Sequence, residues 1–153
     1  MSNQNPNELS SGGAHDTTGL ARRHVRFGWW WLFGFAGLGL TLETMHGLKL
    51  GWYVDAPNEI RRLMWTLAHA HGTLLGLVNV AFGFTVRGSP NWPERVRRLA
   101  SACLLGGSVM VPGGFFLGGT VIHSGDPGLG ILLLPLGGLL LLVAFALTAA
   151  SSK

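Results

Sequence analysis

The polar and apolar positions of this chain fall into one polar stretch followed by four long apolar runs. The runs cover about residues 27–50, 63–86, 99–122 and 129–149. Each is close to the ~20 residues a helix needs to cross ~30 Å of hydrocarbon. Residues 1–20 are rich in Asn, Ser, Gly and Thr and show no apolar period, which predicts a disordered cytoplasmic tail. The charged-then-apolar order begins only at Ala21, so this tail is not expected to act as a signal peptide. The pattern predicts an all-α polytopic membrane protein, a four-transmembrane-helix bundle occupying residues 21–153.

Composition strengthens that expectation. Of 153 residues, 48% are hydrophobic and only 12% charged, about half the charged share of an ordinary soluble domain. The net charge of +4 is concentrated in blocks flanking the apolar runs, a distribution that suits membrane orientation and not nucleic-acid binding. Arg22, Arg23, Arg26, Arg87, Arg95, Arg97, Arg98 and Lys153 fall on one side of the predicted spans. Lys49, Arg61 and Arg62 fall on the other. The richer side is normally cytoplasmic, which places both termini inside, in a cytoplasmic (inner) membrane. Trp29, Trp30 and Trp31 would then mark the inner interface, and Trp52, Tyr53 and Trp65 the outer one. The single cysteine, Cys103, excludes an intramolecular disulfide and reads as a small packing residue.

Small residues recur within the runs. Gly72 with Gly76 and Gly114 with Gly118 are GxxxG steps, which allow close helix approach and serve packing first. They leave a homo-oligomer or assembly into a larger membrane complex open. Pro112 and Pro135 are expected to kink the third and fourth spans or loosen their hydrogen bonding. Asn79 reads as interhelical glue and Asp126 as a turn residue.

The candidate chemistry is histidine. His46, His69, His71 and His123 belong to three spans yet fall towards the same, outer, end, where an imidazole in hydrocarbon usually marks function. His46 precedes Trp52 by six residues and His69 follows Arg62 by seven, so both lie roughly 9–10 Å below one interface at 1.5 Å per residue. Residues two apart are about 200° apart on a helix, so His69 and His71 point to nearly opposite sides. Glu43 and His46 are three apart and share a face. No second ExxH accompanies them, which makes a di-iron site an unfavoured reading. His15 and His24, in the tail and the basic block, are given no role.

Two kinds of ligand suit this set. Haem b between helices needs one or two imidazoles at equal depth in a pocket with small residues, which His46 and His69 or His71 could supply. A copper or zinc ion would need three or four converging ligands, drawn from Glu43, His46, His123 and one of His69 and His71. Glu43 with His46 could also exchange protons.

The stretch Ala68-His69-Ala70-His71-Gly72-Thr73-Leu74-Leu75-Gly76 resembles one in small four-helix membrane proteins related to the haem–copper oxidase catalytic subunit. The resemblance implies a haem-linked bundle in a respiratory setting, with His69 or His71 as axial ligand. The chain lacks the paired His-His and the copper-binding His-Pro-Glu-Val-Tyr sequence of that subunit, so it implies a haem-binding or accessory protein and not an oxygen-reducing enzyme. The expected function is therefore a membrane haem- or metal-binding protein in electron transfer, or an accessory to a respiratory or nitrogen-oxide complex. The alternatives are a small transporter or channel with a histidine-lined cavity, and a structural subunit. Whether the protein is an enzyme is left open by the sequence.

Overall fold

The computed structural model describes residues 6–55, 59–89, 91–122 and 126–151, with side chains from residue 17 onward. Among these residues the chain is all-helical, without a strand. Helix α1 spans Pro6–Gly47, a short α2 spans Gly51–Val54, α3 spans Glu59–Gly88, and α4 spans Glu94–Thr120. A 3-10 turn at Leu129–Leu132 leads into α5, Leu133–Ser151.

Three of these segments are long and apolar enough to cross a membrane: Glu59–Gly88, Glu94–Thr120 and Leu129–Ser151. They contain the second, third and fourth predicted runs almost whole. Helix α1 carries the first run but extends well beyond it, starting at Pro6 within the stretch expected as a tail. A proline opens the helix where its missing N–H has no partner to lose. Helix α1 is not among the three segments; Trp29, Trp30, Trp31 and Glu43 are interspersed among its Phe and Leu residues.

The long helices form a row in chain order, not a closed four-sided bundle. α1 packs along α3, α3 along α4, and α4 along α5, while no comparable packing joins α1 to α5 among the described residues. The outward faces are strongly apolar: Trp29, Trp30, Phe33, Leu136, Leu139 and Leu142 are all exposed. A surface of this kind is untenable in water and is compatible with a multi-pass membrane protein.

Glycine sets the helix spacing. On α1, Ala21, Val25, Gly28, Leu32, Phe35 and Gly39 alternate steps of four and three and face His69, Gly72, Gly76, Val80 and Gly83 of α3. That alternation is the seam of a shallow left-handed crossing. The Phe35 ring lies where a Gly72 side chain would be, and the Gly28 and Gly76 backbones touch. Gly107, Gly114 and Gly118 of α4 receive Leu141, Leu134 and Ile131 in the same way. Both GxxxG steps are thus occupied by packing within the chain.

Pro112 is buried inside α4, which continues through it to Thr120. Pro135 falls where the fourth span changes its hydrogen-bond pattern. It occupies the third residue of α5, just after the change from 3-10 to α geometry.

The end of α1 is fixed by its backbone. Lys49 takes a left-handed conformation (φ 50°), with Lys49 N–H bonded to the His46 carbonyl at 3.0 Å and Leu50 N–H to the Met45 carbonyl at 3.1 Å. These two bonds make a Schellman cap, and they hold His46 in the last ordered turn.

Candidate functional site: a polar cavity at the histidine end

Beyond that cap the chain doubles back over the end of the row. Tyr53 of α2 is buried and stacks on Trp65 of α3 (6.5 Å, 18°), which stacks on Phe116 of α4 (5.7 Å, 16°). Trp65 Nε1 donates to the Phe116 carbonyl at 3.2 Å, and Arg61 Nε to the Gly119 carbonyl at 3.2 Å. Arg62 Nη1 donates to the Val54 carbonyl at 3.0 Å, fastening α2 to α3. Three helices are thereby tied at one end. Tyr53 and Trp65, two of the three residues expected as an outer aromatic belt, take part in this tie, while Trp52 stands exposed.

Beneath α2 lies an open cavity of about 580 Å³ between α1 and α3. His46 and Glu43 line it from α1, and His69, Thr66, Arg62 and Glu59 from α3. Tyr53 closes it above; Gly39 and Leu42 form part of its wall. The structure therefore brings His46 and His69 to one site, together with Glu43, as depth counting along the two helices predicts. Burial pushes the Tyr53 phenol above its ordinary range, an effect opposed by the nearby Arg62 guanidinium and a hydrogen bond with Thr66.

His69 is held in one orientation. Its Nδ1 lies 2.7 Å from the Phe35 carbonyl. A carbonyl only accepts, so Nδ1 carries the proton and Nε2 keeps its lone pair. The ring lies flat on Gly39: a methyl there would fall on Cε1 and within 2.6 Å of Nδ1 and 2.7 Å of Nε2. Gly39 is thus part of the site. Gly39→Ala is expected to push the ring off the Phe35 carbonyl while leaving the helices in place. Imidazole nitrogen NMR of His69 in detergent should show a fixed Nδ1–H tautomer in the parent and exchange-averaged nitrogens in the variant.

His71 is not part of the cavity. Its Nδ1 donates to the Leu67 carbonyl of its own helix at 2.9 Å, and its ring sits against Phe115 of α4, 4.8 Å between centroids. His69 and His71 thus face different neighbouring helices, as their spacing requires. His123 lies outside the described residues. No group of three or more His, Cys, Asp or Glu side chains capable of holding a metal ion assembles among the described residues. Of the expected copper or zinc set, Glu43, His46, His123 and one of His69 and His71, the cavity gathers Glu43, His46 and His69, while His71 turns to α4.

The sequence reasoning missed a second polar cluster, at the arginine end. His24 is fully buried. Its Nδ1 lies 2.8 Å from Asn79 Oδ1 and its Nε2 2.8 Å from Ser101 Oγ. Asn79 Nδ2 donates to Ser108 Oγ at 2.8 Å and to the Leu75 carbonyl at 2.8 Å, and Arg23 Nη2 donates to Ser101 Oγ at 2.7 Å. A neutral ring satisfies every partner: Nδ1–H donates to Asn79, and the Ser101 hydroxyl donates to Nε2 while accepting from Arg23. Phe82 covers the ring edge-on at 4.5 Å. The chain of bonds links α1, α3 and α4 through the fully buried side chains of His24, Asn79, Ser101 and Ser108, so it acts as a lock. Asn79 plays the interhelical part expected of it. The available signal for His24 was that same asparagine, since a buried amide must find partners at its own depth.

The chain matches no known protein-family model, no curated protein and no solved structure.

Proposed function

We propose that the protein is a four-span membrane protein, both termini cytoplasmic, whose outer-face cavity binds a histidine-ligated group, in the first instance haem b, which His69 and His46 would hold. One observation carries this reading. His69 donates Nδ1–H to a backbone carbonyl and lines a cavity of a volume typical for small-molecule sites. That is how ligating imidazoles are generally oriented. The Lys and Arg distribution supports the orientation, and Trp29 and Trp30 at one end with Trp52 at the other support four spans. Bound haem would supply one-electron exchange, and Glu43 beside His46 would handle accompanying protons, as an electron-transfer or accessory protein of a respiratory complex requires. The test is the optical spectrum of the full chain purified after expression with haem supply. A Soret band is expected; its absence would eliminate haem.

A second reading is favoured by the lining itself. Glu43, Glu59 and Arg62 give the cavity a more charged wall than a haem pocket ordinarily has. A transporter or channel that passes a proton or divalent cation through this vestibule would use them. It predicts ion flux in liposomes that disappears in His46→Ala, and unchanged flux in that variant would count against it.

A further inference from the structure

At the opposite end of α1, Arg22, Arg23, Arg26, Phe27 and Trp30 line an open groove of about 510 Å³, with Gly19 at its margin. Their spacing of three and four places them on one face of the helix. Three arginines line the groove, and no carboxylate does among the described residues. Glu94 is paired with Arg98 at 2.8 Å along α4. Arg23 is pre-set by its bond to Ser101, so one of the three charges is already ordered. Phe27 is steadied by its stack on Trp31, 4.8 Å and 22°. Trp30 stands exposed one turn further along. Gly19 has open space where a side chain would project.

We propose that this groove binds the headgroup of an anionic phospholipid, its phosphate held by Arg22, Arg23 and Arg26 and its upper chain lying along Phe27 and Trp30. This depends on the chain being embedded in a membrane and is independent of what occupies the histidine cavity. Charge alone would suit any phosphate. The order of the residues selects an amphiphile: cationic groups lie towards the helix N-terminus, and aromatic groups follow towards the apolar run. Guanidinium binds phosphate oxygens in a two-pronged geometry, and aromatic rings sit at the level of lipid headgroups. Basic clusters beside a membrane-spanning helix are favourable sites for anionic lipid.

The experiment uses the full chain purified in mild non-ionic detergent and read by native mass spectrometry. Phosphatidylglycerol and phosphatidylcholine are supplied in equal amounts, with inorganic phosphate as a separate competitor. Preferential retention of phosphatidylglycerol is expected. The double variant Arg22→Gln with Arg26→Gln should lower that preference roughly twenty-five-fold, about fivefold for each arginine removed. Both side chains are exposed and outside the His24 lock, and Arg23 is left in place, so the fold is retained; circular dichroism checks this. Arg87→Gln, an exposed arginine at the same end on α3, should leave the preference unchanged. Equal retention of the two lipids would overturn the proposal. So would an equal loss in Arg87→Gln, which would reduce the effect to overall charge. Displacement of phosphatidylglycerol by millimolar-range phosphate would also overturn it, assigning the groove to a free anion.

Discussion

Replacing His24 with alanine is expected to destabilise the protein by about 3 kcal/mol, from two lost hydrogen bonds, a stranded Asn79 oxygen and an imidazole-sized void. Single interhelical hydrogen bonds in membranes average only about 0.6 kcal/mol. The larger effect expected here comes from the linked chain, since Arg23, Ser101, Asn79 and Ser108 all depend on the same fully buried ring or on its partners. His46→Ala is the matched control. That side chain is exposed in the last turn of α1, and its loss should cost less than about 0.5 kcal/mol. Equilibrium unfolding in mixed detergent would compare the two. Similar stabilities for both variants would show that the buried network is not a lock.

Gly28→Ala is expected to cost about 1–3 kcal/mol by overpacking, and Gly34→Ala to be neutral or stabilising by up to about 1 kcal/mol. The two positions lie on the same helix, six residues apart. A methyl at Gly28 would lie 2.6 Å from the Gly76 carbonyl oxygen and 3.0 Å from the Val80 amide nitrogen, both backbone atoms of α3. Neither can step aside without the two helices separating. A methyl at Gly34 would meet nothing within 4 Å. Thermal unfolding of the two variants in the same detergent should therefore shift in opposite directions or leave Gly34→Ala unmoved. Equal losses would mean that helix spacing along α1 and α3 is not set by this contact.

The features legible in the sequence were those governed by rise and angle along one helix. Depth counting from Trp52 and Arg62 put His46 and His69 at one level, and they line one cavity. The 200° separation of His69 and His71 required different partners, and they face Phe35 of α1 and Phe115 of α4. Which of them turns to α1 depends on which glycines form the seam, and that is a property of the helix pair. Gly39 accepts the His69 ring; no pattern within α1 alone marks it out from Gly37, which has open space around it. The row arrangement was illegible for the same reason, because apolar faces against lipid and apolar faces against a neighbour share one composition. His24 was hidden by its neighbours. Between Arg23 and Arg26 it reads as part of an interfacial basic block, yet one turn of α1 there faces inward and buries it against α3 and α4.

The most direct measurement of the proposed site is the Soret absorbance of two purified variants, His69→Ala and His71→Ala, made with haem supply. Binding in the cavity between α1 and α3 requires loss of the band in His69→Ala and its survival in His71→Ala. A band that survives in His69→Ala and vanishes in His71→Ala would contradict the account and move the site to the face of α3 that meets Phe115.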